Sequence, residues 1–318
     1  MKIVIFGGCG FIGSNVADAL LNDRHHVVLF DNLSRENVIK NYLWLLSNHP
    51  KVKLLRQDIE DPYAVRRAVE IVDVVLHFAA QTAVTTSIVD PRHDFEVNAL
   101  GTFNVLEGVR LSGNQPLVIY ASTNKVYGDF KTEVPVSELQ PLLFSTPYGC
   151  SKGAGDQYML DYNQTYGIPT VVLRMSCQYG PHQYGVVDQG WVSHFAQMVL
   201  SGNPITIYGD GSQVRDILYI SDYVELIRVL IAKKEIVAGE IFNIGGGMDY
   251  SIRIQEGIKL MDDLLGKTTI LDYADWRVGD QRYYVSSIDK IKQLTGWYPT
   301  VPPRQGIEKL LTWTKNQK

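Results

Sequence analysis

Tyr148 and Lys152 are the residues whose types and spacing most directly suggest catalysis in this chain. They lie four positions apart within a helical stretch over residues 146–166, so they share one helical face. A phenol has a pKa near 10, and lowering it by about 3 units takes about 4 kcal/mol. A lysine ammonium at about 4 Å, with an effective dielectric constant of about 20, supplies about that much. We therefore expect Lys152 to activate Tyr148 as a base near neutral pH.

Thr123 is the third candidate catalytic residue. It follows an apolar run over residues 117–121, at the carboxyl end of a predicted strand. Its hydroxyl can hydrogen-bond the substrate oxygen that loses its proton to Tyr148 and orient that oxygen for the transfer. A Tyr-x-x-x-Lys pair alone is weak evidence in a chain with 18 tyrosines. The alternative is that Thr123 caps a helix and Tyr148 packs in the core; the glycine motif described next favours catalysis.

Gly7, Gly10 and Gly13 stand directly after an apolar strand over residues 2–6 and before a helical pattern over residues 11–22. Glycine is required where a strand turns sharply, where a pyrophosphate approaches the backbone, and where the next helix packs closely on the sheet. The spacing therefore predicts a cradle for the phosphates of a dinucleotide. A glycine-rich turn that binds nothing is the alternative interpretation.

Asp31 ends the second apolar run, over residues 26–30, and lies eighteen residues after Gly13. An acidic residue about 20 residues beyond the cradle binds the ribose hydroxyls of the adenosine and repels a 2′-phosphate. NAD is therefore favoured over NADP as the cofactor. Arg35 could partly neutralise that repulsion, so NADP remains the alternative.

Composition and charge exclude several classes of function. The 318 residues include 30 basic and 34 acidic side chains and no basic run, so nucleic acid and anionic membranes are not expected partners. Cys9, Cys150 and Cys177 are odd in number and lack metal-ligand spacing, which predicts reduced thiols, a cytoplasmic location and no metal site. No run of about 18 apolar residues predicts a membrane span.

Short β-branched runs alternate with amphipathic stretches through the first 175 residues or so, which predicts an α/β fold with a doubly wound parallel sheet. We expect a dinucleotide-binding domain over residues 1–178, with about 212–240 returning to it, and a smaller mixed α/β substrate lobe over 179–318. Predicted strands cover residues 2–6, 26–30, 52–56, 72–78, 117–121, 170–174, 205–208, 217–219 and 240–244, and two helices of the lobe cover 252–265 and 305–314.

The chain resembles the extended short-chain dehydrogenase/reductases that act on nucleotide sugars. The similarity covers essentially the whole chain, from the glycine cradle through the Thr123, Tyr148 and Lys152 set to an Arg-Val-Gly-Asp motif at 277–280. It implies a Rossmann-type nucleotide domain and an enzyme with bound NAD. The cofactor residues that it implies are Gly7, Gly10, Phe11, Ile12, Gly13, Asp31, Asn32, Ser34, Arg35, Asp58, Ile59, Phe78, Ala79, Ala80, Asn98, Tyr148 and Lys152.

The same resemblance implies a substrate site and an oligomer. Residues matching Arg215 and Arg277 grip the diphosphate in this family, as suits guanidinium forks, although each could equally be structural. Tyr208 is expected near the nucleotide base, or else in the core. The helices over 98–110 and 148–166 commonly pair across a dimer in the family, so we expect a homodimer or homotetramer. The implied substrate residues are Gln81, Thr123, Asn124, Cys177, Gln189, Tyr208, Arg215 and Arg277.

Asn124 and Lys125 discriminate between the reactions of this family. Its 4,6-dehydratases carry Asp-Glu at these two positions, and an amide with an ammonium cannot form that acid/base pair. Epimerisation through a transient keto sugar fits best. An epimerase acting on C4 of a UDP-hexose is the first alternative, and a non-catalytic NAD-binding protein is the second. Four segments resemble the 2-epimerases of the CDP-paratose/CDP-tyvelose type more closely than they resemble the UDP-hexose 4-epimerases. These segments are residues 122–129, 174–183, 188–191 and 275–284.

Overall fold

The structure is a computed structural model that describes residues 1–129 and 133–317. The chain forms two compact units whose segments alternate along the sequence. Unit 1 comprises Met1–Thr123, Thr146–Arg174 and Val224–Phe242. Unit 2 comprises the described residues of Asn124–Ser145, Met175–Tyr223 and Asn243–Lys318.

This division differs from the predicted boundary at residue 178. The described residues between 124 and 145 belong to unit 2, and the segment that returns to unit 1 begins at Val224. Hydrogen bonds explain the first difference, because the Val136 amide donates to the Val285 carbonyl oxygen at 2.8 Å. The Asn243 side chain also donates to the Val136 carbonyl oxygen at 2.8 Å. Such contacts between distant segments have no signal in the local sequence pattern.

The strands are short, as the β-branched runs predict. In chain order they are β1 (Lys2–Phe6), β2 (His26–Phe30), β3 (Lys53–Leu55), β4 (Val74–His77), β5 (Leu117–Thr123), β6 (Thr170–Met175), β7 (Cys177–Tyr179), β8 (Ile205–Tyr208), β9 (Val214–Tyr219), β10 (Glu240–Ile244), β11 (Ser251–Arg253), β12 (Leu271–Ala274) and β13 (Tyr283–Tyr284).

The helices between them are mostly amphipathic, and none within the described residues is both long and apolar enough to cross a membrane. A π-helical turn, Glu96–Leu100, joins the fifth and sixth α-helices. In chain order they are α1 (Phe11–Asn22), α2 (Val38–Asn48), α3 (Pro62–Val69), α4 (Val84–Val89), α5 (Pro91–Phe95), α6 (Gly101–Ser112), α7 (Pro147–Tyr166), α8 (Trp191–Ser201), α9 (Ile220–Ala232), α10 (Lys234–Val237), α11 (Ile254–Leu265), α12 (Asp289–Thr295) and α13 (Pro303–Lys315).

A parallel central sheet of seven strands confirms the predicted doubly wound fold. Its order is β10-β6-β5-β4-β1-β2-β3. β1 lies between β2 and β4 and pairs in parallel with both. Its residues Ile3–Phe6 are at most 1% exposed, as expected of a strand covered on both faces. The chain reverses its direction of winding between β1 and β4, and in such sheets ligands bind at the carboxyl ends of the strands near this point.

Unit 2 contains smaller sheets and corrects one predicted helix. β9 pairs with β7, β11 and β13, and β8 pairs with β12. The helix predicted from residue 252 begins at Ile254, because Ile252 lies in β11 opposite Arg215 of β9. The Arg253 amide, at the N-cap of α11, donates to the Glu256 carboxylate at 3.0 Å. Residues 252 and 253, predicted as the start of the helix, therefore belong to a paired strand.

Candidate active site

The glycine motif forms a tight loop between β1 and α1. Gly7 has a left-handed backbone conformation with φ +74°, and a Cβ there would lie 2.7 Å from the Ala79 amide nitrogen. A Cβ on Gly13 would lie 2.1 Å from the Gly7 carbonyl oxygen. Both distances are far inside van der Waals contact, so these positions require glycine. The loop leaves its backbone open to close approach by a ligand.

The first turn of α1 is built to receive an anion. Gly10 is the N-cap residue, and no side chain in the described part of the chain caps the helix there. The Gly10 carbonyl oxygen accepts the Ser14 amide at 2.9 Å, which starts the helical ladder. The amides of Phe11, Ile12 and Gly13 precede that bond and carry the positive end of the helix dipole. The loop and helix start therefore fit the pyrophosphate of a dinucleotide.

Asp31, at the end of β2, organises the same loop. Its carboxylate accepts the Cys9 amide at 3.0 Å and the Leu33 amide at 2.9 Å. Burial raises the pKa of Asp31, and the Asp58 carboxylate adds to the rise. A carboxylate has four acceptor positions, so Asp31 can also accept ribose hydroxyls while it holds the loop.

Hydrogen bonds connect the predicted cofactor residues that follow β2 and β3. Asn32 donates to the Asp58 carboxylate at 2.8 Å and accepts the Ser34 amide at 2.9 Å. Arg35 donates to the Thr82 hydroxyl at 3.1 Å. The structure thus brings Asn32 and Asp58 together and directs Arg35 toward Thr82.

The chain after β4 closes against the glycine loop. A Cβ on Gly7 would lie 2.9 Å from the Phe78 carbonyl carbon, so the backbone there is within contact distance. Phe78, Ala79 and Ala80 are half-buried. Ile59 is only 5% exposed and belongs to the hydrophobic core. Its predicted cofactor contact stays a prediction.

Gln81 and Asn98 form a hydrogen-bonded group after β4. Asn98, which is fully buried, donates to the Gln81 carbonyl oxygen at 3.0 Å. The Gln81 side chain donates to the Ala83 carbonyl oxygen at 2.8 Å and accepts the Ala83 amide. The sequence predicts Gln81 as a substrate residue, whereas in the structure its polar atoms stabilise a turn.

Thr123 and Tyr148 are in contact at the end of β5. The Thr123 side chain hydrogen-bonds the Tyr148 phenol, and this bond lowers the phenol's pKa and so favours its ionised form. The Tyr148 amide donates to the Ser87 hydroxyl at 3.2 Å. Thr146 is the N-cap residue of α7, and its hydroxyl accepts the Gly149 amide at 3.2 Å. Tyr148 is therefore fixed in the first turn of α7.

Lys152 lies one turn further along α7 and is 2% exposed. Its Nζ lies 4.2 Å from the centre of the Tyr120 ring, a cation–π contact. The Tyr120 hydroxyl donates to the Lys152 carbonyl oxygen at 3.2 Å. The structure therefore confines the ammonium group to a buried, aromatic environment one helical turn from Tyr148.

Burial opposes the expected activation of Tyr148. It raises the pKa of Tyr148 to about 12, although the Thr123 hydrogen bond opposes the rise. Burial also lowers the pKa of Lys152 to about 7, although Asp94 and Asp156 oppose the fall. In the protein alone burial therefore keeps the phenol neutral, and the activation of Tyr148 by Lys152 stays a prediction.

In unit 2, Arg215 and Lys125 share one carboxylate. Arg215 donates to Asp280 at 2.8 Å and to the Gln281 carbonyl oxygen. Lys125 donates to the Gly279 carbonyl oxygen at 2.9 Å and lies 4.0 Å from the same Asp280 oxygen. Burial and the Arg215 charge lower the pKa of Lys125 to about 8. Two cations on one carboxylate suit an anionic ligand such as a diphosphate.

Arg277 and Tyr208, two predicted substrate residues, stack on each other. The guanidinium carbon lies 3.7 Å from the centre of the ring. Arg277 also donates to the Val187 carbonyl oxygen at 2.9 Å and lies 3.4 Å from the Asp188 carboxylate. Gln189 belongs to the same turn, which main-chain hydrogen bonds close. Arg277 and Arg215 are therefore held by different carboxylates.

Asn124 and Cys177 complete the predicted set in unit 2. Asn124 donates to the Gln281 side chain at 3.2 Å, and Gln281 donates to the Gly128 carbonyl oxygen at 2.5 Å. Burial raises the pKa of the Cys177 thiol, and Arg215 opposes the rise. Cys177 is therefore a neutral thiol. Within the described residues, no cluster of His, Cys, Asp and Glu could hold a metal ion.

The sequence did not single out two carboxylates near Lys152. Asp94 on α5 and Asp156 on α7 are both fully buried, and both oppose the fall in the Lys152 pKa. Asp156 forms a buried ion pair with Arg174 at 2.8 Å. Its position one helical turn after Lys152 is visible in the sequence. Asp94 is remote in the chain, and no local pattern links it to Lys152.

Comparison with known proteins agrees with this geometry. A family model described as GDP-mannose 4,6 dehydratase matches residues 4–310. The chain belongs to this family of extended short-chain dehydrogenase/reductases. Membership of this NAD-dependent epimerase/dehydratase family confirms the resemblance found in the sequence.

Individual relatives in the family include both 2-epimerases and 4-epimerases. A CDP-paratose 2-epimerase of Salmonella typhi is 39% identical over 338 aligned positions, covering 99% of this chain and 100% of the relative. A putative UDP-glucose 4-epimerase of Methanocaldococcus jannaschii is 34% identical, covering 99% and 98%. The structure of the Thermus thermophilus UDP-glucose 4-epimerase in complex with NAD has a TM-score of 0.89 and 32% identity, covering 100% of both chains.

Proposed function

We propose that this protein is an NAD-dependent nucleotide-sugar epimerase of the CDP-paratose/CDP-tyvelose 2-epimerase type. The observation that carries the proposal is the hydrogen bond between Thr123 and Tyr148, with Lys152 one helical turn away. Asn124 and Lys125, which follow Thr123, supply no carboxyl group for dehydration. The 39% identity to a CDP-paratose 2-epimerase supports C2 as the site of inversion.

The cofactor would be held by the glycine loop and Asp31. NAD, when bound, supplies the hydride acceptor and, in its oxidised form, the positive charge that Tyr148 needs in addition to Lys152. Tyr148 takes the proton of the C2 hydroxyl as the hydride leaves C2, and it returns that proton when the hydride comes back. The Thr123 hydroxyl holds the phenolate oxygen in place during both transfers. The cycle produces no net oxidation.

Inversion requires the keto sugar to turn between the two hydride transfers. Tight uniform binding of the hexose would hinder this turn without raising the rate. We propose that Arg215 and Arg277 hold the diphosphate instead, because guanidinium groups bind phosphate oxygens in pairs. The two arginines lie in separate clusters with separate carboxylates.

The test supplies purified enzyme with CDP-tyvelose or CDP-paratose deuterated at C2 and follows the reaction by proton NMR. We expect inversion at C2 with the label retained on that carbon. Tyr148→Phe should lower the rate by about 10²- to 10⁴-fold, because the variant cannot take the proton. Its cofactor content, measured after denaturation, separates loss of proton transfer from weaker NAD binding. Loss of the label to water, or no inversion at C2, would contradict the proposal.

The second candidate is a UDP-hexose 4-epimerase. Identities of 34% to a putative UDP-glucose 4-epimerase and 32% to a UDP-glucose 4-epimerase structure favour it. UDP-glucose and UDP-galactose supplied in parallel distinguish the two, since inversion at C4 without inversion at C2 selects this candidate. A protein whose measurable activities are all unchanged in Tyr148→Phe would instead be a non-catalytic NAD-binding protein.

We further propose that the chain forms a homodimer through the aromatic surface of α6 and α7. Four rings, those of Phe103, Tyr158, Tyr162 and Tyr166, follow one another with centroid separations of 5.7, 6.3 and 4.9 Å. Tyr158 and Tyr166 are 43% and 45% exposed. Tyr162 between them is 4% exposed and belongs to the core, so it anchors two exposed rings of one helix. Exposed aromatic rings are typical of protein interfaces.

A further inference from the structure

Asp94 is a buried carboxylate that the proposed reaction does not use. Its side chain on α5 is fully buried and accepts the Ser151 hydroxyl at 2.5 Å and the Asn98 amide at 3.1 Å. Asn98 also donates to the Ser151 hydroxyl at 3.2 Å. Ser151 directly precedes Lys152 on α7. Asp94 is therefore fixed against the residue next to the catalytic lysine.

The charge of Asp94 is balanced differently from that of Asp156. Asp156 receives two hydrogen bonds from Arg174, at 2.8 and 3.0 Å, so it has a buried cation of its own. Among the described residues, the hydrogen-bond donors to Asp94 are neutral. His93 also acts on Asp94, but it is exposed and its effect on the Asp94 pKa is smaller than that of Lys152. Burial raises the pKa of Asp94, and the Lys152 charge opposes that rise, so the lysine is a buried cation that favours the ionised carboxylate.

The remaining groups that face Lys152 are neutral near pH 7. Burial raises the pKa of Tyr120, whose ring contacts the ammonium group. Burial and the lysine charge lower the pKa of His77 on β4, so its imidazole is neutral. Tyr148, with a pKa of about 12, is a neutral phenol in the protein alone. Within the described residues, Asp94 and Asp156 are thus the anions that act on Lys152.

We propose that Asp94 is a positioning residue for the catalytic pair, and that its carboxylate holds Lys152 in the ammonium form that Tyr148 requires. This inference rests on the roles proposed above for Tyr148 and Lys152. The Asp94 charge raises the pKa of both groups and so opposes the loss of a proton from each. The phenol therefore stays neutral until further positive charge reaches the site, and the lysine keeps its proton to a higher pH than burial alone would allow.

The decisive measurement is the protonation of Lys152 itself. The protein as isolated is labelled with [ε-¹³C]lysine and titrated by NMR, and the Lys152 signal is identified by its absence in Lys152→Met. In Asp94→Asn, which keeps the shape and the hydrogen bond from Ser151, the Lys152 midpoint should fall by about one pH unit. The alkaline limb of the epimerisation rate should move to lower pH by the same amount.

Asp222→Asn is the matched control. Asp222 is 5% exposed and accepts the Thr300 and Val301 amides at 3.0 and 2.9 Å, so it is also a buried carboxylate with neutral donors. This variant should lose stability without moving the Lys152 midpoint. If Asp94→Asn does not fold, Asp94→Ser, which also removes the charge and can accept the Ser151 hydroxyl, should lower the Lys152 midpoint in the same direction.

The outcomes separate this inference from the proposed function. A Lys152 midpoint that stays or rises in the Asp94→Asn or Asp94→Ser protein overturns the role of Asp94, whichever substrate the enzyme takes. A midpoint that falls as expected, in a protein that inverts no CDP-sugar, supports the role of Asp94 and overturns only the proposed reaction.

Discussion

Lys152 carries a charge that the folded protein disfavours. Its pKa is about 7 in the folded state, against about 10.4 for an exposed lysine. At pH values between these two pKa values, the unfolded chain binds more protons than the folded one. Stability due to this residue therefore rises with pH from about 7 to 10 and is lowest below pH 7. In the proposed mechanism, the charge of this unfavourable buried ammonium is the one that activates Tyr148.

Lys152→Met should remove this rise in stability. Between pH 6 and pH 9 the variant should lose on the order of 2 kcal/mol relative to the parent, because only the parent gains stability as the lysine deprotonates. In the variant, the buried Asp94 carboxylate lacks the lysine charge, which also lowers the stability of the folded state at the higher pH. Urea unfolding at the two pH values, followed by circular dichroism, measures the difference. Lys51→Met, at an exposed position, is the control, and the same trend in both variants would contradict the argument.

At the scale of elements, the loop between β1 and α1 fixes how closely that helix approaches the sheet. The contact that matters joins two backbones, since a Cβ on Gly13 would meet the Gly7 carbonyl oxygen at 2.1 Å and the Gly8 Cα at 2.8 Å. Neither atom belongs to a flexible side chain. Any larger residue at Gly13 must therefore move the start of α1, and with it the amides that we propose bind the cofactor phosphates.

Gly13→Ala should lower the free energy of unfolding by about 2 kcal/mol or more and reduce NAD binding at least tenfold. Gly113→Ala is the matched control, because Gly113 has a φ of +71° but no heavy atom within 4 Å of an added Cβ. It should lose only about 1 kcal/mol and bind NAD normally. Chemical denaturation and titration with NAD measure both quantities. Normal NAD binding by Gly13→Ala would refute the role of the loop as a phosphate cradle.

At the scale of the whole molecule, the aromatic surface of α6 and α7 predicts the oligomeric state. The parent should sediment at twice its chain mass of 35.8 kDa, and Tyr158→Glu should sediment as a monomer because it places a charge within the apolar surface. Tyr63→Glu is the control, since Tyr63 is 76% exposed on α3. A parent protein that sediments at the mass of one chain would disprove the dimer.

The sequence alone determined the sheet, the family and the candidate catalytic side chains. β1, β2, β8 and β10 begin and end at the predicted residues, because apolar β-branched runs with polar ends are a local signal. The Tyr148 and Lys152 pair was visible because helical spacing is also local.

The surroundings of those side chains follow from the folded structure. It raised the pKa of Tyr148, lowered that of Lys152 and placed Asp94 beside the lysine's neighbour on α7. It also joined Ile252 to β9 as a strand residue and assigned residues 124–145 to unit 2. These outcomes depend on burial and on pairing between segments remote in the chain. No spacing rule contains them, because desolvation and strand pairing depend on which distant residues the completed fold brings together.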